Sequence, residues 1–206
     1  MILAVRTPLI RKLFISLWLI ALLCGISYLF WKVDWRYSLP TPVPIDYNLI
    51  SAGDMVTLPQ NGPTINSKPV FLHFFNPECP CSRFNMPHFK SLTRKYGEQI
   101  DFAVVVMSPS DDEKKIRDDF DIEVPVYFDK DVADACGVYS TPQAVLINND
   151  GQLFYRGNYN KSRYCTKKEY NYAQMAIDSL LSNSSNLITD KSALTSYGCE
   201  LPNCTK

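Results

Sequence analysis

The chain has 206 residues, of which 46% are apolar and 20% charged, with 21 basic side chains balancing 21 acidic ones. That composition fits one globular domain plus extensions, and a net charge of zero implies no basic surface built for nucleic acid. Twelve tyrosines and 11 phenylalanines supply bulk for a substantial core, whereas His73 and His88 are the only histidines.

The N-terminal end stands apart. Arg6, Arg11 and Lys12 precede 19 uncharged residues, Leu13 to Trp31. A helical run of that length crosses a hydrocarbon layer of about 30 Å. Tyr28, Phe30, Trp31 and Trp35 cluster at its far end, as at a membrane interface, and the heavier basic flank precedes it. The reading is a cytoplasmic N-terminus at residues 1–12, a transmembrane anchor at 13–31 and an exported remainder, which makes a single-pass inner-membrane protein with a periplasmic C-terminal domain. A cleaved signal peptide is the competing reading, but no small-x-small site ends the run. Cys24 falls inside the span. The other six cysteines, Cys79, Cys81, Cys136, Cys165, Cys199 and Cys204, fall in the exported part. An even number in an oxidising compartment points to disulfides, for which six cysteines allow about 15 connectivities.

Residues 32–48 contain three alternating prolines and read as an extended spacer. "PVFLHFF", 69–75, is an apolar run bounded by turn signals, expected as a strand buried on both faces. Met86, Phe89, Leu92 and Tyr96 recur at helical spacing and predict a helix from Cys81 to Tyr96, stopped near Gly97. A second buried strand follows at 100–107, then a helix in "SPSDDEKKIRDDF", a short strand at 124–129 and a short helix ending near Gly137. "QAVLINNDGQLFYRGNY" is a hairpin about Asn149-Asp150-Gly151. A last amphipathic helix spans 169–183, with Tyr172, Met175, Ala176, Ser179 and Leu180 on one face. Residues 183–206 form a polar connector and a cysteine-containing tail. Alternating strands and helices predict an α/β domain at 49–182 with helices on both sheet faces.

Four features carry a resemblance to a known family. Cys79 directly follows "VFLHFF"; Pro87 lies eight residues later; Thr141-Pro142 precedes "QAVLIN"; and "DGQLFYRGNY" closes the domain. The set resembles the thioredoxin-like superfamily, over roughly residues 50–182. The resemblance implies a three-layer α/β/α sandwich with a central mixed sheet, preceded here by one transmembrane helix. It also implies a cis bond before Pro142, with the Thr141 backbone exposed to a bound peptide. The loop "CPCS" departs from the family's Cys-x-x-Cys, since Ser82 stands where the second cysteine belongs. It is similar to the active loop of membrane-anchored bacterial redoxins whose second thiol is displaced or missing.

The chemistry centres on Cys79. A thiol at a helix N-terminus faces unpaired N–H groups and the positive end of the helix dipole, which favour the nucleophilic thiolate. Pro80 suits the first helical turn. A Cys79–Cys81 disulfide would close a small, labile ring; if the helix parts the two sulfurs, Cys79 acts alone or with a distant partner, for which Cys136 is a candidate resolving thiol. His73 lies where the resemblance implies a proton-moving group and would serve as base or relay. Cys165–Cys199 or Cys199–Cys204 would be a structural bridge. The expected function is a membrane-anchored thiol-disulfide oxidoreductase acting on exported protein thiols and disulfides, with no cofactor and no nucleic-acid partner. The alternatives are a peroxiredoxin-like peroxidase, in which Asn76 occupies the peroxide-binding place, a copper-binding assembly factor using Cys79, Cys81 and His73, and a redox-inert adaptor.

Overall fold

The computed structural model describes residues 3–108, 112–162, 167–184 and 188–201. Two compact units emerge, Met1–Leu39 and Pro40–Lys206. The first is α1 (Leu3–Phe30), continued by a π-helical turn (Trp31–Trp35) and α2 (Arg36–Ser38). Over Pro8–Ser38 this is a helix of 31 residues, with a mean hydropathy of 2.3 in its apolar window, none of it buried. It is long and apolar enough to cross a membrane.

The second unit is built on a five-stranded mixed sheet of order β3-β2-β1-β5-β6. Its strands are β1 (Val70–Phe75), β2 (Asp101–Val106), β3 (Val126–Tyr127), β5 (Gln143–Ile147) and β6 (Leu153–Gly157). β1 pairs parallel with β2 and antiparallel with β5. Being central, it is buried at all six positions, which explains an apolar run without polar alternation.

The helices of this unit are α3 (Pro80–Tyr96), α4 (Glu113–Phe120), α5 (Asp131–Ala135), α6 (Tyr172–Leu181) and α7 (Lys191–Leu194). One core layer joins Phe71 and Phe75 of β1 to Met86, Phe89 and Leu92 of α3, Ile116 of α4, and Ala176 and Ile177 of α6. The opposite layer joins Leu72 and Phe74 to Val132 and Ala133 of α5, and to Val56 from the preceding loop. The strand alternation of β1 thus feeds both layers, and the architecture is the three-layer α/β/α sandwich. α6 turns differently from its sequence reading. Ala173 and Ile177 face the core with Tyr172 and Ala176, while Met175 is 40% exposed.

Two segments are more structured than their composition announces. In the proline-rich stretch, Thr41 is buried and its N–H donates to the Ser196 carbonyl at 2.8 Å, while Tyr47 Oη donates to the Gly137 carbonyl. In the tail, α7 and a two-residue strand, β7 (Cys199–Glu200), pack onto the domain, and β7 pairs antiparallel with β4 (Ser140–Thr141).

Candidate functional site

The loop between β1 and α3 is built by Asn76. Its side-chain oxygen accepts from the Glu78 N–H at 2.8 Å, and its carbonyl accepts from the Cys79 N–H. Cys79 is then the N-cap of α3, in extended conformation (φ −85°, ψ 118°), with Pro80 opening the helix. The Cys79 carbonyl accepts from the Ser82 and Arg83 N–H groups, and the Arg83 guanidinium holds the Pro77 carbonyl at 2.8 Å. This puts the Cys79 sulfur, fully buried, at the positive end of a 17-residue helix. Pro87 lies inside that helix.

Cys79 is disulfide-bonded to Cys199, with 6.5 Å between the Cα atoms. Cys199 therefore bridges neither Cys165 nor Cys204, the two partners its position in the tail suggested; Cys165 and Cys204 themselves lie outside the described residues. The reason is the path of the tail: α7 docks against β6 and turns the chain back across β4. Thr141 and Cys199 are register partners in that ladder, and the Thr141 carbonyl lies 3.8 Å from Cys79 Sγ. The bond that follows, Thr141–Pro142, is cis.

Cys81 is buried in the first turn of α3 and is not part of the disulfide. Ser82, fully buried, accepts the Asn76 N–H at 3.2 Å, so the place of a helix-borne second thiol is taken by a hydroxyl that braces the loop. Cys136 is a reduced, fully buried thiol within the α5-side core. Burial pushes its pKa up to about 12, against the weaker opposing pull of Arg156, so it is a poor nucleophile at neutral pH. The distant partner of Cys79 is thus Cys199 and not Cys136.

His73 is fully buried on β1, stacked on Phe89 with centroids 4.8 Å apart, and its Nδ1 shares a 2.7 Å hydrogen bond with Tyr159 Oη. Burial first, and the nearby His88 second, lower its pKa to about 3, which makes it a weak base. Among the described residues no three His, Cys, Asp or Glu side chains converge as a metal centre. The Asn76 side chain, turned onto the loop backbone, is committed away from a peroxide-binding role. His88 is half-buried, with Nδ1 3.3 Å from Asn160 Nδ2.

What sequence reasoning missed is Cys199 as partner of Cys79. The available signal was "YGCEL": a glycine before the cysteine permits the close approach the site requires. Gly198 has φ 118°, and a Cβ there would overlap the Thr141 carbonyl oxygen.

Comparison with known proteins places this geometry. The family model of DUF6436, described as a domain of unknown function, matches residues 49–201. A thiol-disulfide oxidoreductase, ResA of Halalkalibacterium halodurans, is 30% identical over 94 residues, covering 43% of this chain and 53% of that protein. The chain thus spans about half the length of this curated relative. Among solved structures, a hypothetical protein from Sinorhizobium meliloti 1021 aligns with a TM-score of 0.60 at 18% identity, over 77% of this chain and 98% of its own. An uncharacterized conserved protein from Geobacillus kaustophilus aligns with a TM-score of 0.60 at 17% identity, over 79% and 96% respectively. The fold is thioredoxin-like, and with the family match running from the loop before β1 to the residue after β7, the chain belongs to the DUF6436 family.

Proposed function

We propose that this protein is a membrane-tethered thiol-disulfide oxidoreductase of the exported compartment, with Cys79 as its attacking sulfur and exported protein thiols or disulfides as substrates. One observation carries the reading. A cysteine at the positive end of α3 holds a disulfide to a strand that is paired, residue for residue, with the residue preceding Pro142. A helix N-terminus stabilises the thiolate that any exchange must generate, both as attacker and as leaving group. The apolar helix over Pro8–Ser38 supports tethering to a membrane, and the resemblance to ResA supports the reaction class. Burial raises the pKa of Cys136, which sits at the C-terminal end of α5, whereas Cys79 has the N-terminal end of α3 to favour its thiolate.

The test is exchange against a protein disulfide such as insulin, and against a reduced dithiol peptide. Cys79→Ser should abolish turnover in both directions, while Cys136→Ser retains it. Full activity in Cys79→Ser would remove the proposal.

A further inference from the structure

We infer that β7 sits in the substrate's seat: Cys199 is the resolving thiol, and its strand is exchanged for a cysteine-bearing segment of a partner protein at each turnover. The inference rests on the exchange function proposed above and adds its second thiol and its mode of peptide binding.

Three observations lead there. First, the contacts of β7 are those an incoming peptide would need. It lies antiparallel to β4, with Cys199 opposite Thr141, Glu200 opposite Ser140, and the Leu201 N–H donating to the Tyr139 carbonyl at 3.2 Å. Main-chain pairing of this kind recognises an extended segment with little regard to its side chains. Two strands cannot occupy one ledge, so a partner bonded to Cys79 in this register requires β7 to have left.

Second, the tail has an anchor behind the strand that is independent of the bonds Thr41 and Gln143 make to residues 196–198. Ala193 of α7 is fully buried, and Asn158 Nδ2 donates to the Ser192 and Thr195 carbonyls. Asp190 accepts from Tyr172 Oη at 2.6 Å and caps α7 through the Ser192 N–H. If α7 stays docked while residues 196–201 swing out, Cys199 remains tethered a few residues from its target. Tethering of this kind gives a high effective concentration for its return.

Third, the docked strand is not a complete fit. Ser140 Oγ, Thr141 Oγ1 and Gln143 Oε1 are buried without a hydrogen-bond partner among the described residues while β7 is in place. Unmet buried polar groups disfavour the state that contains them, and they offset part of what the short ladder and the bonds from Thr41 and Gln143 contribute. The docked strand is therefore poised for exchange.

The electron balance closes with these groups alone. In the reduced protein Cys79 gives its proton to water, and its thiolate attacks one sulfur of the partner's disulfide. That S–S bond breaks, and the partner's other sulfur departs as a thiolate and takes a proton from water. β7 then returns to the ledge, Cys199 gives its proton to water, and its thiolate attacks Cys79 Sγ. The mixed disulfide breaks, the partner's second sulfur leaves and is protonated, and Cys79–Cys199 is restored. The partner has gained two electrons and two protons, and the protein's two thiols have lost them. Run backwards, the same steps oxidise a partner dithiol.

The experiment uses the reduced full chain in detergent micelles and a hexapeptide with the sequence of residues 196–201, its cysteine activated as a thionitrobenzoate disulfide. Oxidised glutathione serves as a small probe that cannot pair as a strand. The wild-type protein should take up the peptide at Cys79 and release it as the intramolecular bond re-forms. Cys199→Ser should hold the peptide as a mixed disulfide visible by mass spectrometry, with release slowed at least about 10²-fold by loss of the tethered thiol. Cys81→Ser should release it as the wild type does. Gly198→Ala keeps both thiols but misfits the ledge, and should slow release several-fold with the peptide and far less with glutathione. Release at the wild-type rate from Cys199→Ser, trapping in Cys81→Ser, or an unaltered Gly198→Ala would each overturn the inference while the exchange function stands. Uptake of the peptide by Cys79→Ser would instead remove the exchange function itself.

Discussion

His73 shows how far enclosure changes a side chain. Its ring contacts Phe75, Phe89 and Tyr159, and burial takes its pKa from 6.5 to about 3. Between those two values the unfolded chain binds a proton that the folded chain refuses. Stability therefore rises with pH through that window and falls as the solution is acidified from 6.5 towards 3. His88, also lowered by burial, adds to the same slope. Urea midpoints measured across this range should drop steeply for the wild-type protein. They should drop less for the double variant His73→Phe, Tyr159→Phe, which removes the imidazole and the hydroxyl that would otherwise lose its partner. An equal slope in both would show that His73 is not the group responsible. At the same scale, Ser82 explains why the loop tolerates a serine where a thiol is expected: its hydroxyl braces the Asn76 backbone, a task suited to oxygen and poorly to sulfur.

Among the elements, those with periodicity were legible in the sequence and those without it were not. β1 announced itself as an unbroken apolar run because both its faces are covered. α3 did so through Met86, Phe89, Leu92 and Tyr96, all of which are buried. The hairpin did so through its turn, where Asn148 Oδ1 accepts from the Asp150 and Gln152 N–H groups and Gly151 adopts φ 81°. β4 and β7, two residues each, are too short to display alternation, and α7 has a single turn. Their existence depends on contacts between distant parts of the chain. The disulfide has the same origin: its cysteines are 120 positions apart, so local reading found Cys79 and could not find its partner. Asn158 is the residue on which the tail's docking turns. Asn158→Ala would leave the Ser192 and Thr195 carbonyls unmet, a loss of about 1–3 kcal/mol. Dithiothreitol should then reduce Cys79–Cys199 faster than in the wild type; an unchanged rate would mean that α7 does not hold the strand in place.

For the molecule as a whole, the tail and the proline-rich segment belong to the folded unit. Thr41 joins Ser196 and Gly198, Pro40 bridges Tyr197, and Gln143 Nε2 donates to Ser196 Oγ. A variant starting at Pro40 should therefore unfold cooperatively and form the Cys79–Cys199 bond unaided, whereas one starting at residue 49 should be less stable. Thermal unfolding under oxidising conditions measures this, and equal midpoints would deny residues 40–48 a structural part. The full chain should enter the detergent-rich phase in a cloud-point partition, and the variant starting at Pro40 the aqueous phase.

The position of α7 carries a further consequence for energetics. A disulfide closing so long a loop restricts the unfolded chain by roughly 5 kcal/mol in the chain-entropy view. In the native state the corresponding quantity is how often the reduced tail already holds Cys199 beside Cys79. Every contact that docks α7 raises that fraction, favours the disulfide over the dithiol and lowers the couple's reduction potential, by about 30 mV for each 1.4 kcal/mol. Asn158, Asp190 and Tyr172, none of them a sulfur ligand, would act as the protein's potentiostat. Any partner or modification that loosened them would turn it into a stronger oxidant without touching either cysteine.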